Sequence, residues 1–575
     1  MARTSLFDRV RGLLAADPSL PRQGGREGAP LTRRALLGAC MAGLGSALTP
    51  SAARALCAAP ARTQPRVAII GAGLAGLSCA YRLRQAGVHA TVYEATRRVG
   101  GRTSSLRGLG PDRQVIELGG ELIDSGDVHL HNLADELDIV LLDRAAAARG
   151  RAVGEIFVVD GKRVPDALIR GQLDAVRPAL RALAAQADAR DPAFDLAVYD
   201  ALNRQSMGAW LDAHVTDAPQ LRAVLESAYR GEFGRELDAQ SALNLVFMLG
   251  GAAVDAPGLF GDSDERYQAR GGNQTFCDAL STRLPDTVKL GHALTRVRGA
   301  PRRGYTLQFR TASGPSVAQA EVLIFALPFA TLRRVDLTDL PLSADKRRAV
   351  AELSYGTNAK VAGRFATRPW STLHGALGSL TSDANWQQAW DSSLAQAGES
   401  GILTNFLGGA QGLACVGASA EQWYTGTFLR GVERVLPGVA AGYVRGSAVR
   451  MHWPSAPYAR GSYACYAPGQ WDLYGTEGAT EGEGTLLFCG EHTSLERAGF
   501  MEGAAETGEL AAAALLAALG RPCSARHAFS MRLARALPQP ALGASIAPGT
   551  FLARCDARAR ALAALWHEGD ARRAG

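Results

Sequence analysis

The sequence predicts an α/β fold, and two stretches far apart in the chain predict it. Arg66-Val67-Ala68-Ile69-Ile70 is a short β-branched run of the kind that makes a buried parallel strand, and it enters Gly71-Ala72-Gly73-Leu74-Ala75-Gly76 directly. A helical pattern follows through Leu77, Ala80 and Leu83 and is stopped by Gly87. His89–Tyr93 then reads as a second strand ending in Glu94. In the C-terminal half, Leu486-Leu487-Phe488-Cys489 reads as a buried strand running into a polar turn, with a helix from there through Ala517. The chain of 575 residues, 47% apolar, is too long for one ordinary core, so two packed regions plus appendages are expected.

The first stretch has the chemistry of a dinucleotide site. Gly71 allows a tight turn, Gly73 lets a pyrophosphate approach the backbone, and Gly76 lets helix and strand pack closely. The helix N-terminus, with Leu74 and Ala75 in its first turn, presents unpaired N–H groups to the phosphates. Glu94 stands where an acid accepts hydrogen bonds from ribose hydroxyls. Directly after Glu94-Ala95, Arg98-Val99-Gly100-Gly101-Arg102-Thr103 makes a second phosphate-binding turn, with Arg102 available to pair with phosphate oxygens.

Composition excludes other classes. The formal charge of +7 belongs to the ends, since residues 1–55 and 521–575 carry +5 and +6 and leave the body slightly acidic. Such a body has no electrostatic footprint for nucleic acid. No run of 18 strongly apolar residues occurs, so no stable membrane span is expected. The nine cysteines form no CxxC pair, and no metal site is expected.

The double turn at 71–76 and 98–103, continued by Val115-Ile116-Glu117-Leu118-Gly119-Gly120, resembles the FAD-binding start of the flavin amine oxidase superfamily. The C-terminal block Gly490-Glu491-His492-Thr493-Ser494, then Ala498-Gly499-Phe500-Met501-Glu502-Gly503-Ala504, is similar to the amine oxidase signature. The resemblance implies FAD rather than NAD. It also implies a doubly wound, Rossmann-like FAD domain assembled from discontinuous segments, with a mixed α+β substrate domain. By it Gly101, Gly119, Gly120 and Ala504 lie against the cofactor, Glu491 meets the ribityl–phosphate region, and Met501 backs the pyrimidine end of the flavin. Arg270-Gly271-Gly272-Asn273 resembles the family's middle segment, after which Val297 falls where members meet the adenine with backbone groups. The implied division is FAD domain at 65–150, 266–325 and 453–520, and substrate domain at 151–265 and 326–452.

Lys360, within Tyr355–Phe365, matches the family lysine that holds a water against the reactive flavin nitrogen, a role suited to an ammonium or a desolvated amine. Tyr463 and Phe500 match the two rings of an aromatic cage that steers an amine through its π faces. Ser462 stands where monoamine oxidases carry the cysteine bonded to flavin, so noncovalent FAD is expected.

At the N-terminus, Arg33-Arg34 precedes a weakly apolar stretch from Ala35 to Leu48, and Ala53-Arg54-Ala55 fits a cleavage site. Residues 1–55 resemble a twin-arginine (Tat) signal, which implies the Tat export machinery as a partner and a periplasmic or secreted location. Residues 521–575 form an Ala/Arg-rich tail, in which Ala559–His567 fits a short helix.

The function expected from the resemblance is oxidation of a primary or secondary amine to an imine, with dioxygen as the second substrate and hydrogen peroxide as product. An L-amino-acid oxidase on the same fold is one alternative. It needs a cation for the substrate carboxylate, whereas Gly119-Gly120 is followed by the acids Glu121 and Asp124, which suit a second amino group better; Arg222, Arg230 or Arg235 would have to supply the cation. A flavin-binding redox or assembly protein without turnover is the other alternative.

Overall fold

Three distant parts of the chain contribute strands to one parallel sheet. The computed structural model describes residues 64–150, 153–188, 191–251, 258–471, 485–528 and 531. The strand order is Leu486–Phe488, Val322–Phe325, Val67–Ile70, Ala90–Tyr93 and Val288–Lys289. Every neighbouring pair is parallel.

Alternate side chains divide between the two faces of this sheet. Val67, Ile69, Val322 and Ile324 pack under the helices Leu74–Gln85, Val128–Leu137, Gln274–Thr282 and Met501–Ala518, burying Leu77, Leu133, Phe276 and Leu515 among others. Ala68, Ile70, Leu323 and Phe325 face the other way, onto Val297, Leu307 and Phe309. These belong to the antiparallel meander Ala293–Ala300, Gly304–Thr311 and Gly314–Ala320. The α/β sheet is therefore covered by helices on one face and by a β-meander on the other. The reason is the period-2 pattern of Tyr305-Thr306-Leu307-Gln308-Phe309, whose apolar residues are buried and whose polar residues are half-exposed. Each fully buried Leu or Ile contributes ~1.5–3 kcal/mol through its removal from water.

The helix Leu74–Gln85 starts at Gly73 and sits so close to the preceding turn that a Cβ on Gly76 would lie 2.0 Å from the Gly71 carbonyl oxygen. It is tied to its neighbours by a buried ion network. Arg82, fully buried, donates to Glu509 at 2.5 Å and pairs with Glu136 at 2.7 Å, and His129 Nδ1 lies 2.8 Å from the second Glu509 oxygen. Glu502 caps the helix Val128–Leu137 by accepting from the N–H groups of His129 and Leu130.

A second, seven-stranded sheet runs Val449–His452, Ala359–Phe365, Gly401–Leu407, Gln388–Asp391, Ala376–Ser382, Val153–Val159, Lys162–Val164. It is mixed, because only Ala376–Ser382 and Val153–Val159 pair in parallel. The helices Asp166–Ala187, Leu196–Arg204, Met207–His214 and Pro219–Phe233 lie between the two stretches that supply its strands. The segment 1–55 expected as a signal and the helix expected at Ala559–His567 lie outside the described residues.

Candidate active site

A cavity of about 480 Å³ is lined by turns that follow strands of the parallel sheet, at Gly73, Glu94, Ala326 and Gly490, and by Lys360, Trp390, Phe406 and Met451 on strands of the second sheet. Its lining includes Gly73, Leu74 and Ala75 at the first helix start and Gly101 and Arg102 of the second turn. The helix has no side-chain cap and no acid in its first turn, so its N–H groups are left for an anion. A Cβ on Gly73 would meet nothing within 4 Å, so the space beside it is open to a ligand. Glu94 also lines the cavity, its carboxylate fixed by the Ala72 N–H at 3.0 Å and the Thr96 N–H at 2.9 Å. Gly71, Gly76 and Ala95 shape these turns without lining the cavity. Val297 does not line it either; its N–H is donated to the Asp336 carbonyl at 3.0 Å.

Arg102 is held from within. Its guanidinium donates to the Ser462 carbonyl at 2.6 Å and to Glu491 at 2.7 Å. Glu491 also accepts from the Gly499 N–H at 2.9 Å, so one buried carboxylate ties three segments around the cavity. Gly490, Met501 and Ala504 line the same wall as Gly119 and Gly120. A Cβ on Gly120 would lie 2.7 Å from the Met501 sulfur, so the glycine is what lets Met501 approach. His492 is 1% exposed, lines the cavity, and has neither ring nitrogen hydrogen-bonded. Burial, with Arg102 and Lys346 nearby, holds its pKa well below the usual imidazole value, so it is neutral. An orphaned buried imidazole, an uncapped helix start and the open space at Gly73 fit a bound dinucleotide.

Lys360, 6% exposed, stands on the strand Ala359–Phe365 with its ammonium already satisfied. Nζ donates to Glu121 Oε2 at 2.7 Å, to the Gly119 carbonyl at 2.8 Å and to the Glu117 carbonyl at 3.4 Å. It also sits 5.3 Å from the centre of the Trp390 ring and 5.9 Å from that of Phe406. Burial works against ionisation of Glu121, but Lys360 wins and holds its carboxyl below the usual range. Glu117, buried behind it, is pushed up to about 7, chiefly by burial.

Tyr463 and Phe500 both line the cavity. The Tyr463 hydroxyl donates to the carbonyls of Glu232 and Gly231. Gly499, at φ +94°, brings the chain against the Tyr463 ring, where a Cβ would lie 3.6 Å from a ring carbon. Ser462 lines the cavity with its hydroxyl bonded to Asn358. Cys465 and Cys489 are buried, do not line it, and have thiols pushed up to about 12 by burial.

Two acids that sequence motifs did not mark complete the lining: Glu232, at the end of the helix Pro219–Phe233, and Glu265. Burial and the nearby Asp124 push Glu232 up to about 7; burial of its carboxyl, Asp124 and Glu232 raise Glu265 as well, against Arg144, although the residue as a whole is exposed. The expected pair Glu121 and Asp124 is otherwise engaged. Glu121 holds Lys360, and Asp124 accepts from the Ser263 hydroxyl at 2.9 Å and the Glu265 N–H at 2.8 Å. Arg222 pairs with Asp212 and Glu226, Arg230 with Glu226 and Glu236, and neither these nor Arg235 lines the cavity.

A family model described as flavin containing amine oxidoreductase matches residues 74–516. The chain belongs to that family. FAD is therefore its cofactor. A putative L-amino-acid oxidase, YobN, of Bacillus subtilis (strain 168) is 24% identical over 77% of this chain and 92% of its own length. The Protein FLOWERING LOCUS D of Arabidopsis thaliana is 25% identical over 77% of this chain, which spans only 54% of that relative. A solved putrescine oxidase with putrescine bound is 26% identical, with a TM-score of 0.68 over 79% of this chain and 99% of its own. Cyclohexylamine oxidase from Brevibacterium oxydans IH-35A shares the fold at 21% identity and a TM-score of 0.68, over 80% of this chain and 100% of its own. Among the described residues, no helix is long and apolar enough to cross a membrane, and no group of three or more His, Cys, Asp or Glu is placed to hold a metal ion.

Proposed function

We propose that the protein is an exported flavin amine oxidase that holds FAD noncovalently and acts on a small-molecule amine. The observation that carries this is that Lys360, Tyr463 and Phe500 line the same cavity as Gly73, Arg102 and Met501. FAD, when bound, supplies acceptance of a hydride from the carbon bearing the amine and passes the electrons to dioxygen, giving hydrogen peroxide. The imine product hydrolyses to an aldehyde or ketone. The chain's own residues exclude bulk water, steer the amine between Tyr463 and Phe500, and keep a fixed positive group at Lys360. The longest Lys360 bond, 3.4 Å to the Glu117 carbonyl, is the one a water exchanges with least loss.

The same lining disfavours an α-amino acid. The basic side chains on it are engaged: Arg98 folds onto the Gly101 carbonyl at 2.7 Å, Arg102 holds Glu491, and Lys360 holds Glu121. A substrate carboxylate would meet Glu121, Glu232 and Glu265 on that lining, where Arg98 alone of the Arg and Lys side chains has no acidic partner among the described residues. Release of peroxide in air by the FAD-loaded protein, screened with mono-, di- and polyamines and with L-amino acids, tests the reading. Peroxide from amines supports it, and peroxide from amino acids alone replaces it with the L-amino-acid oxidase.

Export through the Tat route fits a chain that must acquire FAD before leaving the cytoplasm. Noncovalent attachment is supported by Ser462 at the family's cysteine position and by the burial of Cys465 and Cys489 off the cavity lining.

A further inference from the structure

Glu232 and Glu265 are carboxyl groups on the cavity lining; the cation that acts on Glu265, Arg144, donates its own hydrogen bond to the Asp391 carbonyl. Neither acid has a hydrogen-bonded or ion-paired side-chain partner among the described residues, whereas the Arg and Lys side chains that line the cavity are bonded elsewhere. Asp124 raises the cost of ionising both, and Glu232 adds to it at Glu265. Two acids left in mutual repulsion are unfavourable in the empty protein, and a cation placed between them removes the penalty. Aromatic side chains share the lining: Phe233, next to Glu232 in the chain, Trp390 and Phe406. Glu121, 5% exposed and on the same lining, keeps Oε1 without a hydrogen-bond donor.

From this lining we infer that the substrate is a diamine or polyamine: one amino group, after releasing its proton to solvent, is oxidised as the free base at Tyr463 and Phe500, and a second, ammonium-type end is held by Glu232 and Glu265. The inference rests on the amine-oxidase reading and narrows it to diamines and polyamines. The acids supply two kinds of selectivity. They attract the distal ammonium by charge and hydrogen bonding, and they repel the carboxylate of an amino acid that enters the same way round. Glu232 has a further consequence, because its own carbonyl accepts from the Tyr463 hydroxyl. The distal acid and the cage ring are thus fixed to one helix end, which sets the span between the two ends of the substrate.

The test compares straight-chain diamines with n-alkylamines of matching chain length on the FAD-loaded protein, in the wild type and in Glu232→Gln, Glu265→Gln and the double variant. Wild-type kcat/KM is expected to favour the diamine by ~100-fold or more, and each Gln variant to reduce that preference by ~10-fold, through KM. A binding readout runs beside it, using a bis(trimethylammonium) alkane, which has no lone pair to oxidise, against the mono(trimethylammonium) alkane of equal length. Calorimetry should show tighter binding of the bis-cation, lost in the double variant. Equal kcat/KM for the two amine classes, or a preference that survives both Gln substitutions, overturns the inference and leaves the amine-oxidase reading standing. If no amine is oxidised but the bis-cation still binds through these acids, the oxidase reading fails while the dication site stands.

Discussion

Lys360 Nζ lies 2.7 Å from Glu121 Oε2, and both side chains are buried. The pair joins the strand Ala359–Phe365 to the turn after Gly119-Gly120, and so fixes a positive group beside the cavity. A buried pair of this kind is worth little over a well-packed apolar substitute, but losing one partner is costly because the other charge is stranded.

Lys360→Met is therefore expected to do two separable things. It strands Glu121 and lowers stability by ~3–5 kcal/mol, part of which Lys360→Met combined with Glu121→Gln recovers. It also slows the flavin steps by ~10²-fold or more, since the positioned charge is gone in both variants. Thermal unfolding measures the first effect, and rapid mixing of each half-reaction the second. A single variant with wild-type rates would make Lys360 purely structural.

Flavin attachment gives a simpler outcome. Acid precipitation is expected to release all the yellow cofactor to the supernatant as FAD. Flavin retained in the pellet would point to a covalent bond at a residue other than Ser462.

Stability should fall at both ends of the pH range through His129 and Glu509. His129 is buried, which alone would lower its pKa, but Glu509 raises it to about 9. Its contribution is complete below the unfolded value near 6.5 and is lost as pH rises towards 9. Glu509, which burial alone would raise, is lowered to about 2 by His129 and Arg82; its contribution is present above about 4.5 and lost as pH falls towards 2. The two shifts describe one interaction of roughly 3 kcal/mol and are not added. His129→Gln should flatten the alkaline limb of a melting-temperature profile, and an unchanged limb would remove His129 from the account.

Export is expected to depend on Arg33-Arg34. Changing both to Lys should leave a folded, FAD-containing precursor in the cytoplasm, detected by fractionation. Arrival of that variant in the periplasm would favour a general secretory signal.

The parts legible in the sequence were those that local geometry imposes. A strand, a turn of spaced glycines and a helix must follow one another in the chain, so Gly71, Gly73 and Gly76 announce themselves. Lys360 was legible by resemblance, but not its partner, because Glu121 lies far away in sequence and meets it only through folding. The same holds for Glu232 and Glu265, which belong to no motif: one ends an ordinary amphipathic helix and the other follows a polar Asp262-Ser263-Asp264 loop. The acids after Gly119-Gly120 suggested room for a second amino group, yet Glu121 and Asp124 are occupied, and the acids without partners come from elsewhere. The meander on the second sheet face was hidden for another reason: its period-2 pattern sets strand and burial but not which sheet it covers.

The most direct measurement is anaerobic mixing of the FAD-loaded protein with a diamine while the flavin spectrum is recorded. Bleaching of the oxidised-flavin absorption by the amine, followed by recovery and one equivalent of hydrogen peroxide when air is admitted, is the expected result. A spectrum that diamines and monoamines leave unchanged, while L-amino acids bleach it, would contradict the assignment of this cavity to amine oxidation.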